Sequence, residues 1–469
     1  MTDRRDFIGY IGTGAIGGIV GYYVGAQELL GIQSEEVVRS SSDDTPTEDT
    51  PTEDTPTEDT PTEDTPTEDT PTEDTPTEDT PTEDTPTEDT PTEDTPTEDT
   101  GEGGSGLVTS GFPRSQYDNQ NTGSPSAING PRGSPTRRWQ FGTDGNNHTT
   151  PAIHDGVAYF GGGGGENNQN KHVYAVNIDD GSELWRFESD AAFQSSAAVG
   201  DALYIADNNG QLYALNPADG SEIWSTQIGQ ASYTASPVVT ADRVYMGDPE
   251  TGGVVGINKE TAEEEWTFDT PSGILSSPAI VDNTLYCGTE TGTVYAVGIA
   301  DESPRWEFSA DGEVTGAPVV KNGDVYVTTA AGSVHAITAE TGDERWTTNT
   351  DQSIRSSPAV DDTSLYVGDG ELFESPGRVY SLSTDSGEIE WRFRTEGSYG
   401  GRQGAIIQSP TVGQERVYFG VDSNKLYAVN KEDGTEVWRF DTSVVLSSPA
   451  IYEGVLYTGI DSDAVLALE

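Results

Sequence analysis

Four histidines, one cysteine and a run of glycines are the places in this 469-residue chain where chemistry would first be sought. His148, His154, His172 and His335 show no metal-ligand spacing, so no metal site is expected from them. Cys287 is alone, which excludes an intrachain disulfide and a cysteine-based metal cluster. Residues 161–165 are all glycine, but no helix pattern follows, and a flexible loop is expected there rather than a phosphate cradle. No nucleophile motif occurs. The sequence therefore assigns no catalytic residue, although calcium-binding or catalytic carboxylates are not excluded by counting among 82 acidic residues.

Charge narrows the partners. The formal net charge is −59, and only five lysines occur: Lys171, Lys259, Lys321, Lys425 and Lys431. Eleven PTEDT copies over residues 46–100 contribute 22 of the negative charges, so the remainder still carries −37. Acid excess with scarce lysine keeps a protein soluble where salt screens strongly, and the composition reads as halophilic. It argues against nucleic-acid binding, which needs a basic footprint.

The N-terminus reads as an export address. Arg4 and Arg5 precede an uncharged, glycine-rich stretch over residues 7–27, in the manner of a twin-arginine signal. Such a stretch is also about long enough to span a bilayer, which takes ~20 residues. Residues 1–32 are thus expected to be a signal or membrane anchor, the chain's one contact with a membrane. Residues 33–106 have almost no apolar content and form a disordered acidic linker, extended by proline and charge repulsion.

Residues 107–469 carry the fold. Eight tryptophans recur at spacings of 39 to 47 residues: Trp139, Trp185, Trp224, Trp266, Trp306, Trp346, Trp391 and Trp438. Between neighbours lie four short β-branched and aromatic runs bounded by Gly, Asp or Asn. The second run always carries a tyrosine: Tyr159, Tyr204, Tyr245, Tyr286, Tyr326, Tyr366, Tyr418 and Tyr457. Radially stacked four-stranded units of this length predict an all-β, eight-bladed β-propeller, a monomer. The last unit lacks its tryptophan strand, which residues 137–141 supply from the other end. The eighth blade is therefore expected to be closed by both termini. Cys287 falls at a core position of its unit, and His335 replaces a third-strand tyrosine.

The wording of the repeats resembles that of the pyrroloquinoline-quinone-type, or quinoprotein-dehydrogenase-like, propeller family. Tyr-Ala-Val-Asn-Ile-Asp-Asp-Gly-Ser-Glu-Leu-Trp185 and Tyr-Ala-Leu-Asn-Pro-Ala-Asp-Gly-Ser-Glu-Ile-Trp224 carry the likeness, which extends from about residue 112 to the end. The resemblance implies that each repeat tryptophan docks one blade on the next. It also implies a test of chemistry. Quinoprotein dehydrogenases hold their quinone beneath a disulfide of adjacent cysteines and stack it on a spare tryptophan. Here Cys287 is alone and all eight tryptophans sit at repeat positions. Non-enzymatic relatives, such as the propeller lipoprotein of outer-membrane assembly, present loops to a partner instead.

Loop lengths say which face would bind. Third-to-fourth turns are short and uniform, whereas residues 161–171, 369–378 and 395–405 are long and varied and belong to the opposite rim. Just before each Ser-Ser-Pro-like strand start lies a ring of equivalent positions: His148, Gln194, Thr234, Leu275, Thr315, Arg355, Ile407 and Leu446. One side of that ring reads as apolar and the other as polar. With Tyr233, Tyr399 and Arg402, His148, Gln194, Leu275 and Arg355 form the expected partner-binding rim. Arg355 and Arg402 have the alternative role of offsetting nearby carboxylates. Asn147-His148-Thr149, the one N-glycosylation sequon, falls on the same rim. The expected function is a non-catalytic, exported cell-surface module that binds a protein, peptide or glycan, with no cofactor. The alternatives are a quinone- and calcium-dependent dehydrogenase acting on alcohols or sugars, and a structural envelope component.

Overall fold

The computed structural model describes residues 111–469 except 126, 164–169, 230–234, 250–251, 372–374 and 398–401, with backbone alone at 111 and 112. Arg4, Arg5, the repeat tract, Tyr233, Thr234 and Tyr399 lie outside the described residues. Within them the chain is all-β: eight blades of four antiparallel strands stand in a ring. Blade 4 shows the pattern, with Ala279–Val281 innermost, then Thr284–Gly288, Thr293–Gly298 and Ser303–Ser309. Its first turn places Asp282 and Asn283 at φ 45° and 61°, the left-handed pair that a two-residue hairpin of matching twist demands.

Blade docking follows one rule. Each of seven indoles donates its Nε1–H to a backbone carbonyl in the next blade, from Trp139 to Ile178 at 2.8 Å around to Trp391 to Lys431 at 2.9 Å. Within its own blade each tryptophan meets the second-strand tyrosine at 5.3 to 5.9 Å between ring centroids. Gly220 shows why the acceptor turn uses glycine: it sits at φ 72°, and a Cβ there would lie 2.5 Å from the Trp185 ring. Apolar side chains are buried in eight layers between neighbouring blades rather than in one central core. Cys287 belongs to the layer between blades 3 and 4, and burial pushes its thiol up to about 12.

In the eighth blade, Arg137–Gly142 pairs with Ala464–Leu468, so the outermost strand comes from the start of the described chain and the other three from its end. Trp438 has no turn of its own to meet on this side. Its Nε1 donates instead to Pro131 at 3.0 Å.

The segment before that strand runs inside the ring. Gly111–Phe112 adds a fifth strand to blade 1, beside Ala152–His154. Carbonyls that follow then accept inner-strand N–H groups blade by blade: Pro113 from Val199, Asn119 from Ile280, Gln120 from Val320, Thr122 from Val360 and Gly123 from Val412. In blade 3 the side chain of Asn119 donates to Val239 instead. Asn121, fully buried, donates to Pro278 and Pro318 carbonyls at 3.1 and 2.9 Å and accepts from Arg114 at 2.9 Å. Residues 113–123 thus plug the channel at the level where the inner strands turn into the second strands, and residues 128–131 bond the rim at Gln414, Glu415 and Trp438.

Candidate functional site

Above the plug the channel is lined by the residues that open each inner strand, and the Ser-Ser-Pro wording has a division of labour. The first hydroxyl ties its strand to the second strand of the same blade. Thr149 and Ser356 show this by bonding the backbone of Gly161 and Gly368, and Ser447 by accepting from Gly459. The second hydroxyl links blades, because it accepts the N–H of the equivalent residue one blade earlier. Thr150 donates to Ser196, Ser196 to Ser236, Ser236 to Ser277, Ala317 to Ser357, Ser357 to Ser409 and Ser409 to Ser448, over 2.7 to 3.2 Å. The belt has two gaps among the described residues, at Ala317, where the hydroxyl is missing, and between Ser448 and Thr150.

The belt encircles an axial cavity of about 120 Å³ whose floor includes Ser115 and Gln116 of the plug. His148, Gln194, Leu275, Arg355, Ile407 and Leu446 all line it, which is where the expected ring placed them. Thr315 does not, since its hydroxyl donates into the wall to Ile354 at 2.8 Å. The division into one apolar and one polar side needs correction. Arg355 stands within the apolar arc, preceded by Leu275 and followed by Ile407 and Leu446, because Thr315 between them has turned away. His148 has its Nε2 buried without a hydrogen-bond partner, and burial pulls its pKa down to about 4, so the ring is neutral at pH 7.

Arg402 is drawn away from the cavity. Its guanidinium donates to the Asp422 carbonyl at 3.4 Å and lies 3.9 Å from the Asp461 carboxylate, the charge-offsetting role. Asp422 itself is fully buried, accepts from Gly404 N–H at 2.7 Å and is pushed up to about 6 by desolvation. Asn147 is also buried, with its amide donating to Gly161 at 2.9 Å, so the sequon presents no accessible acceptor nitrogen in the folded protein. The other histidines pair locally: His154 with Asp155, His172 with Asp144, and His335 between Glu344 and Asp311. Among the described residues no cluster of three metal-ligating side chains occurs. The tips of the three long loops lie outside the described residues.

Nothing in the residue pattern marked the plug's role in the site. Ser115 and Gln116 come from a stretch of Asn, Gln, Asp and Ser without strand periodicity, and only the left-handed φ values of Gln116 and Tyr117, 63° and 72°, mark the apex that brings them under the cavity.

The fold and the belted channel define the class, an eight-bladed β-propeller of pyrroloquinoline-quinone-type repeats. The family model described as outer membrane protein assembly factor BamB matches residues 132–248, 169–278, 251–374 and 375–469, and the chain belongs to that family. Among solved structures it is similar to the quinohemoprotein alcohol dehydrogenase of Comamonas testosteroni, at 13% identity and TM-score 0.63, over 77% of this chain and 80% of that one. It is also similar to BamB of Moraxella catarrhalis, at 15% identity and TM-score 0.59, over 71% and 99%. A europium-containing methanol dehydrogenase matches at 12% identity and TM-score 0.61, over 74% and 89%. At such identities the likeness is one of fold. A search of curated proteins finds no match.

The dehydrogenases of similar fold make a quinone cofactor the group to test, and the described residues do not fit it. The described lining of the axial cavity contains no Trp, Tyr or Phe to stack on a quinone and no carboxylate to hold calcium beside it. Every tryptophan has its indole N–H committed to backbone carbonyls outside the cavity.

Proposed function

We propose that this chain is a non-catalytic binding module that takes a protein or peptide partner at the channel mouth. The observation that carries this reading is the lining itself. A cavity of serine hydroxyls, Leu275, Ile407, Leu446, His148 and Arg355 recognises shape and charge but holds no acid–base pair, nucleophile or cofactor cradle among the described residues. Membership in a family named for an assembly factor agrees with a protein partner. If Arg4 and Arg5 direct export, the module works outside the cell membrane, held or released according to the fate of its N-terminal segment.

A photo-crosslinking amino acid at Gln194, with a control at Asp219 on the opposite face, tests this in cells. One discrete polypeptide adduct at Gln194 and none at Asp219 is expected. Equal labelling at both positions, or none at Gln194, would reject the mouth as the binding face, and a glycan adduct would change the partner class. Calorimetric titration of pyrroloquinoline quinone with calcium tests the rival: saturable binding near one per chain would revive the dehydrogenase.

A further inference from the structure

Two residues that line the cavity keep side-chain nitrogens without a bond of their own. Arg355 makes no hydrogen bond or ion pair with a described residue, and the carboxylate that feels its charge is Glu313. His148 keeps Nε2 buried and unbonded. In a chain of net charge −59, a half-buried arginine left uncommitted on the axis is an anion receptor in waiting. Its neighbours along the ring, Leu275, Ile407 and Leu446, are aliphatic, so the anion it suits is one joined to an aliphatic group. The cavity, about 120 Å³, is well below the ~300–1,000 Å³ of small-molecule sites and has room for about one side chain. The channel moreover already holds a polypeptide, its own residues 113–123, bonded through carbonyls to inner-strand N–H groups.

We propose that the axial cavity is a receptor for a peptide carboxylate carried next to an aliphatic side chain. The carboxylate would meet the Arg355 guanidinium and the His148 imidazole, and the side chain would lie among Leu275, Ile407 and Leu446. This deepens the partner-binding reading and rests on it.

The test uses the full-length protein and dye-labelled peptides followed by fluorescence anisotropy: one ending in Leu with a free carboxylate, the same peptide as its amide, and an amidated peptide ending in Leu-Asp. The free acid should bind saturably and its amide about tenfold or more weakly, as loss of a charge-assisted hydrogen bond implies. Arg355→Gln should weaken the free acid to the level of the amide and leave the amide unchanged, while Arg355→Lys recovers part of the binding. Unchanged unfolding midpoints would show that both variants are folded. Strong binding of the Leu-Asp amide assigns the receptor to a side-chain carboxylate and also supports the proposal. Equal binding of acid and amide, indifference to Arg355→Gln, or no binding by any of the three peptides overturns it. A Gln194 adduct that persists in that last case keeps the partner reading and removes the carboxylate receptor alone.

Discussion

Asp422 and His148, both on the mouth face, answer pH in opposite senses. Burial raises Asp422 to about 6, so the folded state holds its proton more tightly than the unfolded state. The stability this contributes is present in acid and is lost as pH rises through about 6. His148 is pulled down to about 4, so the unfolded state binds its proton more readily, and stability is lost as pH falls from about 6.5 toward 4. The two dependences offset each other in the wild type. Asp422→Asn should therefore be more stabilising at pH 7 than at pH 4, by up to about 3 kcal/mol. His148→Gln should gain at pH 4 relative to pH 7. Denaturant unfolding at the two pH values checks both, and parallel shifts for either variant would reject its assignment. At this scale the sequence was legible where residues repeat. Eight tryptophans and eight tyrosines announced their own contacts. Arg355 and Arg402 looked alike on paper and differ in the fold, because only Arg402 has Asp422 and Asp461 beside it.

Inner strands depend on the serine belt. Ser236→Ala would leave the buried Ser196 N–H unbonded and should cost about 1–3 kcal/mol in urea unfolding. Ala317→Ser should do the reverse and add about 1 kcal/mol, because its new hydroxyl restores the acceptor that the pattern places opposite Ser277. A destabilised Ala317→Ser would show that the gap is required by packing. Trp266→Ala tests the outer docking rule and should cost about 3–5 kcal/mol, since the indole is buried between blades 3 and 4. The Ser-Ser-Pro wording was visible in the sequence as a strand start. Which hydroxyl bonds within a blade and which between blades was not, because both positions are small, polar and adjacent, and only the radial geometry separates them.

Across the whole molecule the plug joins the blades that the repeats build separately. Asn121→Ala removes the amide that spans the Pro278 and Pro318 carbonyls of blades 4 and 5. It should speed hydrogen exchange at Ile280, Val320, Val360 and Val412 together, while second-strand amides such as that of Tyr204 keep their rates. Independent changes at the four sites would deny that the segment acts as one unit. Charge acts at the same scale: with −37 outside the PTEDT tract, the unfolding midpoint should rise with salt as self-repulsion is screened. The ring was legible from its period, but the plug was not, because it occurs once and bonds through backbone groups that every residue carries. Its direction has a consequence for how the protein stands. Gly111 pairs with His154 at the turn end of the inner strand, and Phe112 with Ile153 one step further in. The described chain therefore begins at the face of uniform turns. A label or tether attached at residue 111 is therefore carried on the face opposite the serine-lined mouth.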